Sequence, residues 1–432
     1  MIGARLLLST HSQKKNAEAP ATPTMLSVLR ARPHYRRMLI GNTISQLGDW
    51  LSYVAVSLLV TRSGEGGVAL ALVYVAHTLP NALAAPLAGV LADRHDRRRL
   101  MIGSYLACAL LTGAMCLAAD AGAIWALQAL LFARAGVSAV GFTARQAATP
   151  SVVERRELYA ANALNSLIWS VLFTSGVALG GLLSAAASPT AVIALDALTF
   201  LLSALAVWRL PPLPPAAPPP GRAAADEGAR GAAGGGLWAA WGLARRDPRL
   251  LAALLAKSPA GAMTGAGWIA LNLLAAAHAP TPADAALAVG AAHAARGLGT
   301  GVGPLLLRRL WPTSVSGPTL LALAALLCFL WAPSRWSALA ALVVWGMGSS
   351  HNFVRSSATL QLHAPQEALG RLTALDFLFF TTTQSALALL TGLLLDLGAP
   401  LSAGVYASMA LALMGVALLR RLEGAPRGRA LS

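Results

Sequence analysis

Apolar runs, each near the roughly 20 residues that a helix needs to cross a bilayer core of about 30 Å, recur along nearly the whole chain and are separated by short charged or Gly/Pro-containing segments. The runs are continuous rather than alternating. That pattern predicts helices and argues against a barrel, because every backbone polar group in lipid needs an internal partner. It predicts twelve spans: 38 to 60, 68 to 92, 99 to 119, 122 to 144, 159 to 186, 190 to 208, 250 to 278, 284 to 307, 316 to 333, 336 to 360, 372 to 396 and 400 to 419. The ninth is short, and the eighth is rich in Gly and Ala and carries His293 and Arg296.

Residues 210 to 236 are dominated by Pro, Gly and small side chains that neither continue a helix nor bury a core, so they read as a linker with six spans before it and six after. The expected organisation is a disordered lead at 1 to 37, a six-helix bundle at 38 to 208, a linker at 209 to 249, a second six-helix bundle at 250 to 419 and a tail at 420 to 432. Residues 237 to 250 read as an amphipathic interfacial helix, with Trp238 and Trp241 at headgroup depth. The apolar patch Leu6 to Leu8 is too brief for a signal-peptide core, and Met25 offers a second start position. The fold class is therefore an all-α membrane protein with two pseudo-symmetric halves, a layout of transporters whose substrate site lies near the midplane between them.

Composition agrees: with 56% hydrophobic and 12% charged residues, a chain of 432 residues could not clothe a soluble globule. Lys and Arg test the topology separately, because short cytoplasmic loops retain them. With both termini inside, 27 of the 33 fall in cytoplasmic segments, Arg62 and Arg335 fall outside, and Arg134, Lys257, Arg296 and Arg355 lie within spans. The net charge of +16 is thus a topology signal that needs no nucleic-acid partner. Cys108, Cys116 and Cys328 all fall in spans, with no disulfide or metal-ligand spacing, and nothing calls for a cofactor. No GxxxxGKS/T phosphate loop or selectivity motif is present, which disfavours an ATP-driven pump and a channel; nor is an enzyme expected.

Charges inside the membrane cost at least about 2.5 to 3.5 kcal/mol on insertion scales and usually face a partner or cavity. Asp49 and Arg134 lie near mid-depth in the first and fourth spans, and Asp196 lies in the sixth, suited to helix packing or transport. Asp376 and Gln384 sit about two turns apart on the eleventh span. Lys257 and Arg355 are placed near cytoplasmic ends, from which they can snorkel, and His293 and Arg296 share a helix face. Trp50, Tyr53, Trp169, Phe173, Met263, Trp268 and Phe353 could line a cavity for bulky amphipathic substrates.

Between the second and third spans lies GVLADRHDRRRL, whose Gly89, Asp93, Arg94, Arg97 and Arg98 match the pattern GxxxDRxxRR; a reduced copy, Gly303, Arg308 and Arg309, follows the eighth span. On these residues the chain, from about 36 to 420, resembles the major facilitator superfamily. The resemblance implies that Gly89, Asp93, Arg94, Arg97 and Arg98 form a conformational latch, with Asp93 accepting hydrogen bonds across the half-interface in the outward-open state. It also places Asp49 and Arg134 on helices lining one central cavity, where they can pair and Asp49 can accept a proton.

Three stretches, 42 to 60, 143 to 166 and 363 to 375, resemble the drug and siderophore exporter branch that includes enterobactin and macrolide exporters. SGVALGG at 175 to 181 resembles the antiporter pattern GPxxGG, with Val177 replacing the proline, and Gly176, Gly180 and Gly181 are expected to admit a neighbouring helix closely. Arg134 stands where the fourth-helix antiporter pattern has arginine, although Ser138 replaces a glycine. The resemblance implies a monomer in a bacterial inner membrane that exports a siderophore, antibiotic or other drug-like metabolite against a proton flux. The alternatives are a proton-coupled importer and a non-transporting receptor or scaffold.

Overall fold

The structure, a computed structural model, describes residues 24–214, 236–277, 279–311 and 314–423, and all of its regular elements are helical. The first half comprises α1 (Met25–Ala31), α2 (Pro33–Ser63), α3 (Gly67–Arg94), α4 (Arg97–Asp120), α5 (Ile124–Val152), α6 (Leu158–Ala186) and α7 (Pro189–Trp208), with a 3-10 turn at Arg155–Glu157. After the linker come α8 (Gly236–Arg246), α9 (Pro248–Leu255), α10 (Lys257–Ala277), α11 (Pro282–Leu310), α12 (Ser316–Leu330), α13 (Arg335–His363), α14 (Gln366–Asp396) and α15 (Leu401–Glu423). Helix starts follow capping chemistry. Ser188 and Thr281 accept hydrogen bonds from the first-turn backbone of α7 and α11, each with Pro in the first turn, and Ser334 closes a capping box on α13.

Among the described residues, eight helical segments are long and apolar enough to cross a membrane. Three further long helices, α2, α11 and α13, complete the bundle with the shorter α12. Polar and small residues dilute the apolar character of those three, and many of their polar side chains turn inward: Asn42, Ser45, Ser52 and Ser57 on α2, His293 and Arg296 on α11, and Ser350, His351, Asn352 and Ser356 on α13 are buried. The twelve elements therefore differ in polarity: eight apolar spans and the shorter apolar α12, against the mixed α2, α11 and α13.

In the first half α2 packs on α6 and α7, α3 on α5, and α4 on α5 and α7; in the second α10 packs on α14 and α15, and α13 on α11 and α12. The halves meet chiefly through α6 against α11 and α3 against α14. Both seams are tight at one end. A Cβ on Gly181 would lie 2.9 Å from the Cα of Gly290, and one on Gly67 would lie 3.1 Å from the Cα of Gly392. At the other end of the α3 and α14 pair, a Cβ on Gly89 or Gly370 would meet nothing within 4 Å. The halves are closed together at the end holding the α2–α3 and α6–α7 turns, whereas Gly89 and Gly370, toward the arginine-rich loops, meet no neighbour.

Four boundaries differ from expectation. Within the lead, residues 25 to 31 and 33 to 37 are helical, because Thr24 caps α1, Val28 is buried, and Arg32 bridges to Glu154 and Glu157; residues 1 to 23 lie outside the described residues. In the linker, 210 to 214 pack against the first half with Leu210 and Leu213 buried, while 215 to 235 lie outside the described residues. The interfacial helix ends at Arg246, where Asp247 caps α9, and the seventh span is broken at Ala256. Trp238 is 83% exposed, as a headgroup residue would be, whereas Trp241 meets Phe379 edge-on at 5.6 Å. The tail continues α15 to Glu423, and 424 to 432 lie outside the described residues.

Candidate functional site

In the core of the first half, α2, α5 and α7 bring three charged side chains together. Arg134 on α5 is fully buried, with Nη2 3.2 Å from Asp49 Oδ1, Nη1 in a close ion pair with Asp196 Oδ2, and Nη1 also donating to Ser52 Oγ at 3.2 Å. Asp196 receives a second hydrogen bond from Thr199 Oγ1 at 3.2 Å, and the Phe200 ring lies 5.7 Å from the guanidinium carbon. Gly48 lets this happen: a Cβ there would collide with Asp196 and Thr199. The carboxylates are not equivalent, since the Asp49 side chain is 21% exposed and that of Asp196 is sealed. The cluster has two acids and one base, so in its ionised form it holds one negative charge.

Beside it runs an aromatic wall. Trp50 contacts His77, Trp169 and Phe173 with centroids at 5.3, 6.4 and 4.9 Å, and Trp169 stacks on Phe173 at 5.6 Å. Trp268 on α10 joins Tyr53, Tyr74 and Phe173 of the first half at 5.8, 5.0 and 6.1 Å, and His293 at 4.4 Å. Gln384 takes part in this seam, its Oε1 accepting a 2.7 Å hydrogen bond from the Tyr74 hydroxyl. Arg296 lies over the Trp268 and Trp345 rings at 5.0 and 4.5 Å.

A second charged pair sits in the other half. Lys257 does not snorkel: it is buried, in a close ion pair with Asp376, donates to Ser357 Oγ at 2.9 Å, and lies 3.9 Å from the Phe353 centroid. Ser356 Oγ adds a 3.3 Å bond to Asp376. The helix break at Ala256 puts Lys257 in the first turn of α10, whose residues are almost all buried to Asn272. Arg355 is partly exposed, while His293, also buried, lies 3.4 Å from Asn272 Oδ1.

The latch residues are placed unevenly. Asp93 and Arg94 are exposed, and neither forms an ion pair among the described residues. The acid engaged in this loop is Asp96, which caps α4 through Arg99 N at 2.9 Å and accepts Leu213 N at 2.7 Å. Arg97 is buried and reaches Ser151 Oγ at 3.4 Å, while Arg98 donates to the Trp208 carbonyl. The α6 glycines serve two neighbours: Gly176 and Gly180 face Trp50 and Leu51 of α2, and Gly181 faces Ala286 and Gly290 of α11. At the closed end, Asp396 of α14 accepts hydrogen bonds from the backbone N–H of Gly67 and, at 3.1 Å, of Val68, capping a helix of the other half. Arg62 adds a 3.2 Å bond to the Pro282 carbonyl.

Known proteins resemble this chain at several levels. Over 175 residues it is 31% identical to the uncharacterized MFS-type transporter YfiS of Bacillus subtilis (strain 168), covering 40% of this chain and 41% of that one. Over 177 residues it is 27% identical to macrolide efflux protein A of Streptococcus pyogenes, covering 40% and 44%. The match thus spans less than half the length of these curated relatives. The bundle superposes with TM-score 0.68 and 15% identity on a bacterial homolog of the human lysosomal transporter Spinster in an inward-facing, occupied conformation, covering 92% of this chain and 97% of that one. Residues 38–375 match the family model of the Major Facilitator Superfamily, and the chain belongs to that family of multi-pass membrane transporters.

Proposed function

We propose that this protein is a secondary active exporter of a small amphipathic molecule, driven by inward proton flow and working by alternating access. The observation that carries the reading is the cluster of Asp49, Arg134 and Asp196. Its uncompensated negative charge is costly at mid-membrane, and one proton neutralises it. Asp49 is the acceptor because its side chain alone of the two carboxylates keeps any exposure. Its backbone neighbours, Gly48 and Trp50, connect that event to α7 and to the aromatic wall.

Direction follows from topology. With the arginine-rich loops in the cytoplasm, as the positive-inside rule favours, the closed end faces outside, and we read the opposite end as the one that opens inward. Asp93, unpaired in this state, is then a released latch that engages the second half when the inner end closes. The macrolide efflux relative favours export and an amphipathic cargo. The protein functions as a monomer in a bacterial inner membrane with both termini inside.

The test is transport by the full chain in proteoliposomes under an imposed pH gradient, with one anionic and one cationic amphipathic fluorophore as probes. At least one should move only when the gradient is present. Asp49→Asn should abolish the gradient-driven component while leaving counterflow exchange of the same probe. Normal gradient-driven transport by Asp49→Asn would overturn the coupling assignment.

A further inference from the structure

We infer that Arg296 is the docking point for the anionic group of the transported molecule, and that its substrates are flat aromatic or conjugated organic anions. This rests on the transport reading above and narrows it. The argument begins with charge: Arg134 has two carboxylates and Lys257 has one, but Arg296, only 7% exposed, has no carboxylate within salt-bridge distance among the described residues. Among the described residues its one hydrogen bond is a long 3.5 Å contact to Thr264 Oγ1, and its buried Nε has no partner there. A guanidinium offers five N–H donors in a planar fork suited to a carboxylate, phosphate or sulfonate, and here most of that capacity is unspent. Arg97 and Arg145, also buried and without an acid partner among the described residues, lie at the arginine-rich end and reach Ser151 and Asn165.

The surroundings supply the second half of the inference. Phe173, Trp268 and Trp345 surround the guanidinium carbon at 6.0, 5.0 and 4.5 Å from their centroids, so rings occupy the place where a counter-ion would otherwise be expected. Phe173 belongs to the first half and the two tryptophans to the second, so the site straddles the seam that alternating access must remodel. Stacked edges lead away from it: Trp268 meets Phe173, Phe173 stacks on Trp169 with planes 5° apart, and Trp169 is 42% exposed. A flat body passing along this ladder brings its anionic end to Arg296. The same fork repels a cationic end, so charge sign discriminates among amphipathic molecules of equal size.

The test compares isosteres of opposite charge. Binding of 1-naphthylacetate, 1-naphthylmethylammonium and neutral 1-naphthaleneacetamide to the purified full chain is measured by thermophoresis. The wild type is expected to prefer the carboxylate over the ammonium at least tenfold; Arg296→Gln should erase that preference while keeping the amide's affinity, and Arg296→Lys, which keeps the charge, should retain part of it. No preference in the wild type, or a preference unchanged in Arg296→Gln, would overturn the assignment. If the Gln variant does not fold, the isostere ratio in the wild type and its change in Arg296→Lys decide. Flux separates the two readings: Arg296-dependent binding without gradient-driven movement of 1-naphthylacetate removes the transport reading and leaves the site, whereas gradient-driven movement of the ammonium without anion preference removes the site alone.

Discussion

Breaking a buried ion pair from one side leaves an uncompensated charge, whereas removing both partners does not. Lys257→Ala, which strands the Asp376 carboxylate, is accordingly expected to destabilise the protein by about 3 to 5 kcal/mol, and Lys257→Met with Asp376→Leu to recover most of that loss. Thermal unfolding in detergent, followed by tryptophan fluorescence, checks this; equal losses in the single and double variants would show that the pair is not acting as a unit. The same logic separates the residues of the first cluster. Arg134→Ala strands two carboxylates and should unfold more readily than Asp49→Asn, which strands none. Sequence reading found Asp49 and Arg134 as mid-span charges, since rarity of charge in an apolar run is visible without a structure. It could not choose a third partner, because whether Asp196 faces α5 or lipid depends on helix rotation, and lipid and protein interior are equally apolar. Lys257 was misplaced for a related reason: snorkelling assumes a side chain near a helix end that faces headgroups, and here it faces Asp376 on α14 instead.

At the scale of elements, the docking of α1 depends on a surface ion network whose pH response has a definite sign. Arg32 hydrogen bonds hold the Glu154 and Glu157 carboxyls below their ordinary range, and Arg156 supports Glu154 at 2.7 Å. Groups with depressed folded-state values give stability that is fully present above the ordinary carboxylate pKa of about 4.3 and is lost as pH falls through the lowered values. Proteolytic release of residues 24 to 33 should therefore be unchanged from pH 8 to 6 and rise only in strong acid. Arg32→Gln should raise release at neutral pH and flatten that acid step; a wild-type profile that changes between pH 8 and 6 would contradict the assignment. The loop after α3 carries a related lesson. Its motif directed attention to Asp93, yet Asp96 does the local structural work, and the signal was present: an aspartate a few residues ahead of the next apolar helical run is an N-cap candidate. Linker contacts such as Leu213 N to Asp96 were not legible, because a Pro-rich stretch has no periodicity to place it.

At the scale of the whole molecule, the twelve-helix layout was legible because bilayer thickness imposes one length on every span, but the conformational state was not, since both states share the same helices. That state is set by contacts between halves, and at the closed end Asp396 is, among the described residues, the one carboxylate that caps a helix across the seam. Losing a cap costs about 0.5 to 2 kcal/mol, and a change of about 1.4 kcal/mol shifts a two-state equilibrium tenfold. Asp396→Ala should thus move the population severalfold toward the state open at this end without unfolding either bundle, because the cap belongs only to the closed arrangement. Val289 reports the shift: it is buried in the core shared with the first half, one residue before Gly290, which meets Gly181. In a Val289→Cys background with the native cysteines replaced by serine, Asp396→Ala should raise labelling by a membrane-impermeant maleimide from this side, with unchanged thermal stability of the halves. Asp396→Asn, which keeps an acceptor oxygen, should fall between the two. Labelling that stays at the parent level in Asp396→Ala would mean that the glycine contacts alone hold this end shut, and that the cap follows closure without contributing to it.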